Sequence, residues 1–531
     1  MLQIKNLNIV HKKDLHTIIE NFSFVLNPGD RAVMIGEEGN GKSTLLKWIV
    51  DPALVEPYAE AEGERICIGE KLGYLPQELP QADKDRSVYE FFCEEPLFWE
   101  QTPGQLGAMA GRLLLTPDFF FREQKMGTLS GGEKIKAQLA RILIGHPTVL
   151  LLDEPSNDID IETLKWLEDM ILHAYQPVLY ISHDETLIER TANVIIHIEQ
   201  LRRKTVSRYT VARTTYDAYI RQRNAQFESQ RREAQNEKRQ EELRQEKFRR
   251  IQQKVEHAQS AVSRQDPHTG QLLKKKMKAV KSMERRFERE SSGMTQMPES
   301  EDAIFLKFGQ DISMPAGKTV LNLHLERLMT PGVARRNEAP GCEGDAAGAS
   351  EEILAENISL RVKGAEKVCI TGQNGVGKTT LLKIIAEELL ARRDIRAAYM
   401  PQDYEELLDM DKTPVEYLAQ SGDREEVTRI RTYLGSMKYT AEEMGHPVAE
   451  LSGGQKAKVL LLKMSMSGAD VLILDEPTRN FSPLSGPVIR EVLRDYKGAI
   501  ISISHDRKYI KEVCDTVYRL TREGLTEEER L

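Results

Sequence analysis

The chain lacks any apolar run approaching the ~20 residues of a membrane-spanning helix. Its first residues, MLQIKNLNIVHKKD, lack the apolar stretch of a secretory signal. Cysteine is scarce: Cys67, Cys93, Cys342, Cys369 and Cys514 are dispersed over 531 residues with no CxxC spacing. A disulfide scaffold and a cysteine-based metal site are thereby excluded, and reduced thiols in a cytoplasmic protein are expected. Positive charge is in deficit, with a formal net charge of -9. Glycine and proline are missing altogether from Tyr216 to Gln265.

The charge deficit is uneven. Residues 200–290 hold 25 Lys and Arg against 12 Asp and Glu, so two acidic bodies flank a basic middle. The length suits two to four domains. Long-range repetition divides it further. GEEGNGKST at 36–44 returns as GQNGVGKTT at 372–380, and LSGGEKIKAQLARILI from Leu129 returns as LSGGQKAKVLLLKMSM from Leu451. VLLLDEPSND from Val149 returns as VLILDEPTRN from Val471, and YISHDETLI from Tyr180 as SISHDRKYI from Ser502. Ser130 to Asp153 and Ser452 to Asp475 both span 23 residues, and Glu154 to His183 and Glu476 to His505 both span 29. One module is used twice. RAVMIG, KVCITG, TVLLLDE and DVLILDE read as short buried strands alternating with helices, which predicts an α/β fold with a mainly parallel sheet in each module.

The glycine-rich loops carry the chemistry. Gly36, Glu37, Glu38, Gly39, Asn40, Gly41, Lys42, Ser43 and Thr44 match the P-loop pattern, as do Gly372, Gln373, Asn374, Gly375, Val376, Gly377, Lys378, Thr379 and Thr380. Such a loop wraps backbone N–H groups around a phosphate chain at a helix N-terminus, where the dipole favours anions. Lys42 and Lys378 are expected on the β- and γ-phosphates, and Ser43 and Thr379 on Mg²⁺. Asp153 and Asp475 end apolar strands, which brings their carboxylates to the strand C-termini for Mg²⁺ support. Glu154 and Glu476 follow, placed to polarise an attacking water. His183 and His505 follow the next strand and are expected within reach of the γ-phosphate.

LSGGE and LSGGQ together with DEP and SHD resemble the signature set of ATP-binding-cassette ATPases. The resemblance implies that Gln77 in LGYLPQE and Gln402 in AAYMPQD are Q-loop glutamines contacting ATP and Mg²⁺. It also implies head-to-tail closure, with each ATP between one P-loop and the Ser130–Gly131–Gly132 or Ser452–Gly453–Gly454 of the other cassette. Two departures stand out. Only His11 or His16 is offered for the aromatic residue expected to stack on adenine. Ser482 stands in the second cassette where the first has Asp160, so unequal hydrolysis at the two sites is expected.

The glycine-free middle predicts a helix of roughly 48 residues, about 70 Å long. Phe248, Ile251, Val255, Ala258 and Val262 step by 3 or 4, and Leu273, Met277, Val280 and Phe287 continue after Asp266-Pro267-His268-Thr269-Gly270. Such seams around a helix-breaking turn predict an antiparallel helical hairpin. Its tip, near 264–278, would be basic: Arg264, His268, Lys274, Lys275, Lys276, Lys278 and Lys281 can neutralise RNA phosphates.

Two cassettes joined by a charged hairpin resemble the ABC-F family, over essentially the whole chain. The domains implied are 1–205, a linker 206–300 and 301–531, with Gly/Ala/Pro-rich 330–352 expected to be a disordered loop. The resemblance implies a monomer on the 70S ribosome that binds the E site and acts on P-site tRNA or the peptidyl-transferase centre. It also implies an ATPase needing Mg²⁺. The distances from Gln77 to Ser130 and from Gln402 to Ser452, 53 and 50 residues, leave no room for a large inserted arm. That armless form and EPTRNFSPLS are similar to the antibiotic-resistance (ribosomal protection) branch. A housekeeping ABC-F translation factor and an importer ATPase subunit are the alternatives. Structural-maintenance-type DNA binding needs longer coiled coils than these.

Overall fold

The computed structural model describes residues 2–13, 15–201, 206–261, 275, 278, 282, 314–330 and 353–528. The chain forms two compact units, one of Met1–Tyr216 with Glu301–Leu531, the other of Asp217–Ser300.

The larger unit contains both modules. In the first, β1 (Leu2–His11), β2 (Thr17–Leu26) and β4 (Ala59–Ile66) make an antiparallel sheet ordered β2-β1-β4. The main sheet comprises β3 (Arg31–Ile35), β5 (Leu72–Leu75), β6 (Val149–Asp153), β7 (Val178–Ile181), β8 (Val194–Leu201) and β9 (Val206–Ala212). Its order is β5-β6-β7-β3-β8-β9, parallel except for the final β8–β9 pair.

The second module repeats this plan. It contains β10 (Thr319–Met329), β11 (Ile353–Lys363), β12 (Lys367–Thr371), β13 (Ala397–Met400), β14 (Val471–Asp475), β15 (Ala499–Ile503), β16 (Thr516–Thr521) and β17 (Gly524–Glu528). The order β13-β14-β15-β12-β16-β17 matches the first sheet strand for strand. All five residues of β6 and of β14 are buried, as a central parallel strand covered on both faces requires.

In both modules the central strand, β3 or β12, runs into its glycine-rich loop and a helix, Lys42–Val50 or Lys378–Ala391. Only glycine fits the start of each loop. A Cβ on Gly36 would lie 2.2 Å from the Ile198 carbonyl oxygen, and one on Gly372 2.5 Å from that of Leu520. Two strands away in each sheet, β6 and β14 end at Asp153 and Asp475, so both carboxylates emerge beside the loops.

In the smaller unit the helix Tyr216–Ala261 is 46 residues long and largely exposed. Glu228–Arg232 (3.1 Å) and Glu246–Arg250 (2.6 Å) are i,i+4 ion pairs on its surface. Phe248 is half-buried, whereas the side chains of Ile251, Val255 and Ala258 lie outside the described set. Lys275 and Lys278 are helical and exposed. Arg264, His268, Lys274, Lys276 and Lys281, the expected turn, the second apolar seam and most of 330–352 lie outside the described residues.

Candidate nucleotide sites

Each P-loop lysine folds onto its own loop. Lys42 Nζ donates to the carbonyls of Gly36 and Glu37, both at 2.9 Å. Lys378 does the same to Gly372 and Gln373, at 2.9 Å, and reaches Asn374 Oδ1 at 3.3 Å. Gly41 and Gly377, which cap the two helices, have φ of 83° and 99°, a conformation that glycine adopts without steric cost.

Next to them lie the strand-end carboxylates. Ser43 Oγ donates to Asp153 Oδ1 at 2.9 Å, and the Thr379 hydroxyl hydrogen-bonds Asp475. Burial pushes both aspartates up to about 6. Asp153 Oδ2 and Asp475 Oδ2 are buried without a hydrogen-bond partner. A hydroxyl beside a buried carboxylate with a spare oxygen suits a hard divalent cation. No cluster of three or more His, Cys, Asp or Glu among the described residues could hold a metal alone.

Glu154 and Glu476 both have φ of 50°, strained for a non-glycine residue and repeated at equivalent positions. The backbone N–H groups of Glu154 and Glu476 donate to Ile181 and Ile503 on the neighbouring strands, which fixes where the carboxylates point.

The two pairs differ electrostatically. Burial works to raise the Glu154 carboxyl, but His183, with Nε2 2.9 Å away, outweighs it and holds the group below its ordinary value. Glu476 is pushed up to about 8, first by burial and then by Asp475. His505 Nε2 lies 3.8 Å from Glu476, and burial, with Lys378 second, brings that imidazole down to about 4. Glu154 is thus a charged partner of its histidine, while Glu476 and His505 are both neutral near pH 7.

Each signature Ser-Gly-Gly begins a helix, Gly131–Ile144 or Gly453–Ser467. Ser130 and Ser452 stand outside as N-caps, and the glycines form the first turn. Ser130 pairs reciprocally with Glu133, and Ser452 with Gln455. The glycines allow close approach: a Cβ on Gly131 would lie 2.0 Å from the Asp158 carbonyl oxygen.

The larger unit brings these elements together crosswise. A cavity of about 740 Å³ is lined by Ser130 and Gly131 of the first module and by Lys378, Thr379, Gln402 and Glu476 of the second. Around the first P-loop the space is about 230 Å³, lined by Lys42, Ser43, Gln77, Glu154, His183 and, from the other module, Asn480. Between that loop and Ser452 and Gly454 only about 20 Å³ is left. The two halves are unequal because different side chains cross them. Asn374 Nδ2 donates to the Asp158 carbonyl at 2.6 Å, leaving the larger cavity open. On the other side Glu38, at the position of Asn374, receives a hydrogen bond from the Gly454 N–H. Glu37 receives one from Ser485 Oγ at 3.2 Å and faces Lys458 at 3.4 Å.

One sequence expectation changes. His11 and His16 pair with each other through their backbones at the β1–β2 turn and do not line either P-loop cavity. Ile18 and Leu354 do, each 24 residues before its P-loop lysine. A search for aromatics misses them, although the equal spacing marks them. Ser482 is a local equivalent of Asp160: Asp160 accepts from the Thr163 N–H at 2.8 Å, and Ser482 Oγ accepts from the Ser485 N–H at 3.2 Å. The crossing roles of Glu37, Glu38, Arg479 and Asn480 were not apparent from sequence. Arg479 reaches Asp158 at 2.8 Å.

Both modules match the ABC transporter family, over residues 19–157 and 355–479. The probable ATP-binding protein YheS of Escherichia coli K12 is 25% identical across 98% of this chain and 78% of its own length. ABC transporter F family member 2 of Arabidopsis thaliana is 25% identical, across 96% of this chain and 75% of that protein. The probable ATP-binding protein YbiT of Escherichia coli O157:H7 is 27% identical, across 95% and 94%. Among solved structures, the archaeal ribosome recycling factor aABCE1, in complex with the stalk protein aP1, superposes with a TM-score of 0.55 at 16% identity. It covers 98% of this chain and 90% of that one, a likeness of fold. No helix among the described residues is long and apolar enough to cross a membrane.

Proposed function

Because the chain belongs to the ATP-binding-cassette family in its tandem ABC-F form, we propose that it is a ribosome-associated, Mg²⁺-dependent ATPase. It binds the E site of the 70S ribosome, through rRNA and P-site tRNA. There it uses ATP binding and hydrolysis to reposition the tRNA or the peptidyl-transferase centre. It thereby protects the ribosome from an antibiotic.

The observation that carries the ATPase reading is the cavity in which Lys378, Thr379, Asp475 and Glu476 face Ser130 and Gly131 of the other module. Its volume, about 740 Å³, is that of a nucleotide-sized cleft. Lys42 and Lys378 exchange their loop carbonyls for phosphate oxygens. Ser43, Asp153 and Gln77 would hold Mg²⁺ in one site, Thr379, Asp475 and Gln402 in the other, where the ion supplies charge neutralisation to the phosphates. Glu154, held as a carboxylate, and Glu476, once its own proton has left, orient water for attack on the γ-phosphorus, and the water's proton leaves toward the carboxylate as the β–γ bridging bond breaks. ADP and phosphate result. His183 and His505 position those carboxylates and the γ-phosphate. Joining the two modules through the signature helices makes nucleotide binding a closing force on the larger unit.

The ribosomal part rests on the ABC-F relationship and on the basic segment 200–290, whose Lys275 and Lys278 are exposed. Replacing both Glu154 and Glu476 with Gln should lower ATP turnover at least about a hundredfold. Expression in a susceptible bacterium, against lincosamides, streptogramins, pleuromutilins, macrolides, phenicols and oxazolidinones, tests protection. A raised inhibitory concentration for one class is expected. No rise for any class would assign the chain to translation at large.

A further inference from the structure

The two P-loops differ where they touch the opposite module. In the second, Gln373 and Asn374 are neutral; in the first, the same positions are Glu37 and Glu38. Glu38 lies over the first turn of the signature helix Gly453–Ser467. Its Oε2 accepts from the Gly454 N–H, and its Oε1 is 3.2 Å from where a Cβ on Gly453 would be. Glu37 is fixed beside it by Ser485 Oγ and Lys458 Nζ. The N-terminus of that 15-residue helix, a region of positive potential, is thus already met by a carboxylate. No carboxylate from the other P-loop can do this to the helix Gly131–Ile144.

We propose that Glu38 is an internal anion that takes the place of the terminal phosphate of ATP at the second signature helix. The proposal rests on the reading that the first P-loop and this helix form a nucleotide site. The first half of the molecule is then held together by protein contacts, and a γ-phosphate entering it meets the Glu37 and Glu38 carboxylates. Nucleoside diphosphate and triphosphate therefore bind the first P-loop with similar affinity. The second P-loop, with Asn374 turned to Asp158, discriminates strongly for the triphosphate. Glu38 is a specificity-determining residue, and triphosphate-dependent closure belongs to the second cavity.

The test is fluorescence titration of the full chain with Mg²⁺ and mant-ATP or mant-ADP, in a Lys378→Ala background that silences the second loop. The two dissociation constants should agree within about threefold, and Glu38→Gln should tighten mant-ATP about tenfold while moving mant-ADP less than about twofold. The reciprocal variant, Asn374→Glu in a Lys42→Ala background, should lose about tenfold of its mant-ATP affinity with mant-ADP retained. An ATP preference of about tenfold in the parent that Glu38→Gln leaves unchanged would overturn the proposal. So would equal tightening of both nucleotides. Failure of the Lys378→Ala chain to bind either nucleotide would instead overturn the underlying assignment of the first site, and the proposal with it.

Discussion

Asp184 and Asp506, the residues after the two histidines, sit close enough to repel. Burial, with the Asp506 charge second, pushes Asp184 up to about 6 from 3.8, and Glu168 adds to the shift while Arg507 opposes it. A carboxyl raised on folding contributes its full stability below 3.8, and that contribution is lost as pH rises through about 6. Asp184→Asn keeps an oxygen for the Leu187 N–H, which the aspartate now caps at 2.6 Å. Thermal denaturation should find this variant more stable than the parent at pH 8, by about 1–3 kcal/mol, and no more stable at pH 4. A variant less stable at pH 8 would contradict the charge argument. Single residues were legible in the sequence where chemistry demands a contiguous pattern, as at Lys42, Asp153 and Glu154. Glu38 was not. Its partner Gly454 lies 416 positions away, and no local pattern encodes which surface a loop will meet.

At the scale of elements, the helices Glu185–Thr191 and Gly486–Arg494 are locked by charge. Arg490 is 3% exposed, and it pairs with Glu185 at 3.2 and 3.1 Å and with Glu512 at 2.8 Å. Lys508 adds bonds to Glu185 and Glu189, and Arg507 one to Glu168. Removing one member of a buried pair strands the other's charge, so Arg490→Ala should cost about 3–5 kcal/mol in urea denaturation, and Arg490→Lys less. The signature helices depend on their caps. Ser130→Ala should cost about 1 kcal/mol, measured in the same way. Strands and P-loop helices were readable because VLLLDE and GxxxxGKS carry burial and turn geometry in few residues. The helix start at Gly131 was open to the S-x-x-E pattern of Ser130 and Glu133, whereas the charged lock was not, since its members look like ordinary surface charge. Their burial follows only from docking of the two modules.

For the whole molecule, duplication made the architecture legible, since the Ser130–Asp153 and Glu154–His183 spacings recur in the second module and the two sheets have the same strand order. What duplication conceals is asymmetry. The opposing cavities of about 740 and 230 Å³ arise from a handful of unlike residues on an otherwise repeated frame. The basic middle segment is the part with no counterpart in either module. Deleting Asp266 to Lys278 should leave basal ATP turnover intact and abolish any effect on cell-free translation. Persistence of both would remove the proposed role of that segment. If lysines there meet RNA phosphates, ribosome binding should also weaken steeply as salt rises. The central claim is that ATP commits this chain to the ribosome, and co-sedimentation tests it directly. The Glu154→Gln, Glu476→Gln protein with Mg²⁺ and ATP should pellet with 70S ribosomes, and the same protein with ADP should remain in the supernatant. A double variant that stays in the supernatant with ATP would contradict the account.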